Sequence, residues 1–221
     1  MSRKTLIILG VIALAVIGGG AWYFLGNSDD MSPAPAAQAS TGGVKVTPHD
    51  MTQGNPKAKV TLIEYAAPRC PHCAHFNEAT FPQLKRDYID TGKVFYVFRV
   101  LPLAAGDGVA EKLARCLPKN KYFAFMDQLF RSQKEWDDEY GVTDVRGGLL
   151  AQYKKQGMTE AQFDACIADT KEDAIINQVA QDGVDRYGIN STPSIVVNGT
   201  LAHDVAEYSA LKPVLAAALA K

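Results

Sequence analysis

The pattern of apolar and polar positions divides this 221-residue chain into stretches of different character. Behind Arg3 and Lys4, the run Thr5 to Leu25 carries no charge and is mostly apolar. At about 21 residues it is long enough to cross a hydrocarbon core. It ends in Trp22-Tyr23-Phe24, aromatics suited to a membrane interface, and Asp29-Asp30 follow it. Basic residues before the span and acidic ones after it predict a short amino end inside and the remainder outside. A cleaved signal peptide is the rival reading. Ala37-Gln38-Ala39 resembles a cleavage site but lies well past the apolar run, so an uncleaved anchor over 1–26 is expected. Residues 27–43, rich in Ala, Pro, Ser and Gly without periodicity, read as a flexible tether.

Further on, Val60 to Tyr65 is apolar on both alternations, as in a central strand covered on both faces. Cys73 to about Asp90 reads as a helix with Phe76, Phe81 and Leu84 inward and a kink at Pro82. Val94 to Val100 reads as a second buried strand, interrupted by Arg99. Strand, helix and strand in this order predict a βαβ unit with parallel pairing. From 104 to 187 the period is helical: Phe123, Met126, Leu129 and Phe130 recur on one face. Thr159 and Gln162 form a capping box ahead of Phe163, Cys166 and Ile167. Gly141, Gly147-Gly148 and Gly157 are expected to mark turns between these helices. After Gly188, Ser194 to Val197 and Thr200 to His203 flank Asn198-Gly199, a strong hairpin turn. An Ala/Leu-rich helix from Ala206 to Ala220 closes the chain.

Composition adds little: apolar residues make up 47%, charged residues 21%, and the net charge is −1. A nucleic-acid partner would need a basic stripe, and none is present.

The chemistry concentrates in Cys70-Pro71-His72-Cys73, where the strand-like run gives way to helix. Pro71 fits the first helical position, where its missing N–H costs nothing. Cys70 then faces free backbone N–H groups at a helix N-terminus, which favour the reactive thiolate. Cys73 lies one turn further in, close enough to form a disulfide. A single C-x-x-C can also be half of a zinc site, but zinc needs two further ligands at fitting spacing. His72, His75 and His203 do not supply them, so thiol–disulfide exchange is expected and no metal. Val60, Leu62 and Glu64 share one strand face, which makes Glu64 a candidate buried carboxylate. The alternative is a solvent-facing glutamate at the strand end. Burial would raise its pKa and let it take the Cys73 proton during attack on a mixed disulfide.

These pieces resemble the thioredoxin superfamily, and within it the DsbA-like thiol:disulfide oxidoreductases. The resemblance rests on Gly54-Asn55-Pro56 before the first long strand, the C-P-H-C tetrad, the helical insertion, and Tyr187-Gly188 with Thr192-Pro193 before the last hairpin. It covers about 54–220. It implies a thioredoxin-like α/β domain over 44–103 and 188–221, with an inserted helical domain over 104–187. It also implies that Cys70 is the nucleophile, Cys73 the resolving cysteine and Glu64 the buried acid. His72 would stabilise the thiolate, Pro193 would be cis and face the disulfide, and the Thr192 backbone would receive substrate peptide. Arg69 is not a hallmark of the family; its charge would either lower the Cys70 pKa further or be solvated. Cys116 and Cys166 form a second pair, expected as a structural disulfide in an oxidising compartment, the alternative being two buried free thiols.

The function expected from this resemblance is an exported oxidase of the bacterial periplasm, tethered to the inner membrane and acting as a monomer without a cofactor. It would donate the Cys70–Cys73 disulfide to newly exported, thiol-containing proteins and be reoxidised by a DsbB-like membrane quinone reductase. A reductase or isomerase is the rival within the same chemistry. A metal carrier or a chaperone is the rival outside it.

Overall fold

The computed structural model describes residues 44–221. The expected anchor over 1–26 and tether over 27–43 lie outside the described residues. Among those described, no helix is long and apolar enough to cross a membrane.

Five strands form one sheet in the order β1-β3-β2-β4-β5: β1 (Met51–Gln53), β2 (Val60–Ala66), β3 (Val94–Val100), β4 (Ser194–Val197) and β5 (Thr200–Ala202). β2 and β3 pair in parallel, Leu62 opposite Tyr96 and Glu64 opposite Phe98, while β1, β4 and β5 join antiparallel. β2 is buried at every position, because both faces of the sheet are covered. On one face Val60, Leu62 and Ala66 meet Phe76, Leu84, Tyr96 and Phe98. On the other Ile63 and Tyr65 meet Phe95, Val97, Ile189 and Val196. The hairpin from β4 to β5 turns through Asn198 and Gly199, both at positive φ, which suits the right-handed twist of the strands. The three-residue β1 carries no sequence signal, being too short to show alternation.

Between β2 and β3 the chain runs through consecutive helical segments, Pro71–His75, Phe76–Thr80, Phe81–Leu84 and Lys85–Ile89, here taken together as α1. The second and fourth are π turns. Pro82 has no N–H to give the carbonyl four residues back. The turn ahead of it is instead closed by Phe81 N–H donating to the Phe76 carbonyl, a five-residue step.

The insertion contains α2 (Ala105–Cys116), α3 (Tyr122–Arg131), α4 (Gln133–Trp136), α5 (Val145–Lys154) and α6 (Glu160–Ile167). Thr159 and Gln162 cap α6 reciprocally. Gly141 and Gly157 stand at positive φ between helices, but Gly147 and Gly148 lie inside α5. The reason at Gly148 is contact: a Cβ there would sit 2.7 Å from the Glu135 carbonyl oxygen and the Trp136 Cα. The glycine lets α5 approach α4.

The long helix α7 (Thr170–Tyr187) links the insertion to the sheet. Near its start Asp173 pairs with Lys112 of α2 at 2.8 Å. Toward its end Gly183 lies so close to the Tyr65 ring that a Cβ would come within 2.6 Å, and Ala180 and Tyr187 pack on the second sheet face. α8 (Tyr208–Ala220) covers the first face through Leu211 and Leu215. Arg99, the charge within β3, is buried and paired with Asp50 at 2.7 Å. It also donates to the Tyr65 hydroxyl and the Lys45 carbonyl, which fastens the chain before β1 to the sheet.

Candidate active site

The site lies where β2 leads into α1. Cys70 is the N-cap of α1 and has extended backbone, and Pro71 opens the helix. The Cys73 N–H donates to Cys70 Sγ at 3.3 Å. Cys73 is completely buried, whereas Cys70 keeps 7% of its surface exposed. The two thiols are therefore unequal. Cys70 is pulled down to about 6, first by a hydrogen bond from the Cys73 thiol, against burial, and further by the Thr192 side chain and the backbone N–H groups of Cys73 and His72. Burial, reinforced by the neighbouring Cys70, pushes Cys73 well up.

From across the sheet, the loop before β4 brings Thr192 and Pro193 to Cys70. The peptide between them is cis, and the Cys70 thiol donates to the Thr192 carbonyl at 3.5 Å. The Thr192 hydroxyl is buried and taken up by no other group, so its proton is left for the Cys70 thiolate. Beside Pro193 a cleft of about 420 Å³ is lined by Asn190, Ser191, Ser194 and His203, among others.

Glu64 is 2% exposed. Its carboxylate accepts a hydrogen bond of 2.7 Å from the Tyr96 hydroxyl. Burial pushes its pKa up to about 8, offset in part by Tyr96 and reinforced by the charge of Cys70. The solvent-facing alternative thus does not apply. His72 is exposed, and its backbone N–H is among the groups that favour the Cys70 thiolate.

The loop before Cys70 is held by the insertion. Gln133, buried on α4, donates to the carbonyls of Pro68 and Cys70 at 2.9 and 3.1 Å. Asp107 accepts from the Arg69 backbone N–H at 2.8 Å. The Arg69 side chain pairs with buried Asp137 at 2.7 Å and with Asp138, so it is neither solvated nor spent on Cys70. Away from the site, Cys116 at the end of α2 and Cys166 in α6 are joined as a disulfide. Among the described residues no cluster of His, Cys, Asp or Glu could hold a metal ion.

Gln133, Asp107 and Tyr96 escape sequence reasoning because each acts across a long chain separation. The one available signal was Tyr96 itself, a hydroxyl within a mostly apolar run.

A family model described as thioredoxin matches residues 46–217. The chain belongs to the thioredoxin family. Within that family it is DsbA-like. The crystal structure of Wolbachia pipientis alpha-DsbA1 superposes with a TM-score of 0.73 at 28% identity, covering 82% of this chain and 96% of that one. A putative protein-disulfide oxidoreductase of Rickettsia bellii is 35% identical over 162 residues, 70% of this chain and 59% of the relative. Disulfide bond formation protein D of Bacillus subtilis is 27% identical over 165 residues, 72% of each chain. The chain therefore spans about three-fifths of the length of the Rickettsia protein. The thioredoxin-like α/β domain carries its helical insertion in the manner of the DsbA proteins.

Proposed function

We propose that this protein is an exported thiol:disulfide oxidoreductase that donates its Cys70–Cys73 disulfide to newly exported, thiol-containing proteins. The observation that carries the reading is the inequality of the two thiols. Cys70 is drawn toward the thiolate at a helix N-terminus, and Cys73 is held neutral beneath it. Stabilising the reduced dithiol in this way makes the disulfide oxidising.

In the forward step a substrate thiolate attacks Cys70 Sγ and the Cys70–Cys73 bond breaks. Cys73 leaves as a thiolate and takes the proton of Glu64. A second substrate thiolate then attacks the substrate sulfur of the mixed disulfide, forming the substrate's disulfide and expelling Cys70 as a thiolate. Two substrate thiols are oxidised and one protein disulfide is reduced. Thr192, Pro193 and the cleft beside them receive the extended substrate chain, and His72 contributes through its backbone. Cys116–Cys166 acts as a structural disulfide of the insertion. The apolar run within 1–26 tethers the domain to the inner membrane on the periplasmic side, and a DsbB-like quinone reductase reoxidises it. The catalytic unit works as a monomer.

The test is the redox equilibrium of Cys70–Cys73 against glutathione, with the Cys70 thiolate followed by its ultraviolet absorbance. A strongly oxidising pair with an acidic thiol supports the oxidase. A thioredoxin-like reducing potential with a near-neutral thiol moves the protein to the reductases.

A further inference from the structure

The buried acid near the two active-site thiols has a partner of its own. Tyr96 and Glu64 lie on the same face of neighbouring parallel strands, since Tyr96 stands opposite Leu62 and Glu64 opposite Phe98. That diagonal brings the phenol to the carboxylate at 2.7 Å. Both residues are nearly inaccessible, Glu64 at 2% and Tyr96 at 2%. A hydroxyl buried this deeply is costly unless it is bonded, and packing alone does not call for it. The ring stacks at a tilt on Phe81, 4.9 Å between centroids, and lies 6.1 Å from Phe123, contacts that a phenylalanine would make equally well.

Among the described residues, the surroundings of Glu64 contain no compensating cation. From α1 it faces Cys70, from β3 Tyr96, and behind Tyr96 lie Cys73 and Tyr122. Among the described residues, no Lys, Arg or His is paired with Glu64. The contrast is with Glu111, also buried and also bonded to a tyrosine, which has Arg115 at 2.5 Å. At Glu64 the phenol is what steadies the negative charge. A donor to a carboxylate favours its ionised form, and it also fixes which way the carboxylate presents its free lone pairs.

We propose that Tyr96 is the positioning residue of the Glu64 proton relay: its hydroxyl holds the carboxylate and sets the pH at which Glu64 takes and returns the Cys73 proton. This inference rests on the role given above to Glu64 and Cys73. When Cys73 attacks a mixed disulfide at Cys70, its S–H bond breaks and the proton passes to the Glu64 carboxylate. The new Cys70–Cys73 bond forms as the partner thiolate leaves. Tyr96 keeps its own proton throughout and donates more strongly to the carboxylate than to the carboxylic acid.

The test uses the full chain as wild type, Tyr96→Phe, Glu64→Gln and the double variant. Two quantities are followed against pH: the infrared carboxyl band lost in Glu64→Gln, and the release of glutathione from a Cys70–glutathione mixed disulfide. Tyr96→Phe should move the midpoints of both upward together by about one pH unit, a tenfold change in proton concentration. In the Glu64→Gln background it should leave the release profile unmoved. A carboxyl midpoint unchanged by Tyr96→Phe overturns the proposal, as does a release profile that shifts even without Glu64. If Glu64→Gln alone leaves glutathione release as in wild type, the relay itself falls, a failure distinct from that of Tyr96. Thermal unfolding of Tyr96→Phe guards against misfolding. Should it melt early, Tyr96→3-fluorotyrosine, whose more acidic phenol is a stronger donor, must move the midpoints downward, and an upward or absent shift overturns the proposal.

Discussion

Gln133, on a four-residue helix of the insertion, donates to the carbonyl of Cys70 at 3.1 Å, and with its other amide proton to that of Pro68 at 2.9 Å. The side chain is buried, and its own carbonyl accepts from Tyr140. The insertion thus reaches Cys70 through its backbone rather than its sulfur.

Gln133→Leu should therefore be costly. It removes the side-chain donor from two carbonyls in a dry setting, which typically costs about 1–3 kcal/mol. We expect a lower denaturant midpoint together with faster hydrogen exchange at the amides of Arg69 and Cys70. An unchanged exchange pattern would show that the loop holds its shape without the clamp.

The two titrating groups of the site should pull stability in opposite directions in the reduced protein. Cys70 is lowered from 9.0 to about 6, so in that window the unfolded chain binds more protons and stability rises with pH. Glu64 is raised from 4.5 to about 8, so the folded chain binds more protons there and stability falls as pH rises. Denaturant melts from pH 4 to 9 should lose the falling limb in Glu64→Gln and the rising limb in Cys70→Ser. Iodoacetamide alkylation of the reduced wild type should rise with a midpoint near 6, with Cys73 unreactive.

Asp50→Asn attacks the buried pair behind β1. Arg99 is 6% exposed and Asp50 4%, and the guanidinium cannot neutralise itself. Removing one partner of such a pair costs roughly 3–5 kcal/mol. Replacing both with apolar residues should recover much of that loss, and urea melts of the single and double variants measure the difference.

Cys116 and Cys166 are separated by 50 residues. The chain-entropy estimate for a loop of that length is about 4 kcal/mol. Changing both to alanine should lower the melting temperature while leaving the Cys70 alkylation profile in place, because the bond joins α2 and α6 away from the reactive loop. A shifted profile would instead tie this disulfide to the redox site.

What the sequence determined by itself is local. The largely apolar run of Val60 to Tyr65, Pro71 at the start of α1, the Thr159–Gln162 box and the Asn198-Gly199 turn are all short-range patterns, and each imposes its geometry on neighbouring residues. C-P-H-C at a strand-to-helix junction was legible for the same reason: a helix N-terminus acts on the thiol beside it. Tertiary structure decided what surrounds that thiol. Gly147-Gly148 read as a turn until the approach of α5 to α4 required a missing side chain. Arg69 read either as a charge for Cys70 or as a solvated side chain until Asp137 claimed it. Tyr96, Asp107 and Gln133 come to the site from 32, 38 and 63 residues away. No periodicity encodes such meetings; they follow from strand register and helix packing, and they determine how each buried polar group is satisfied.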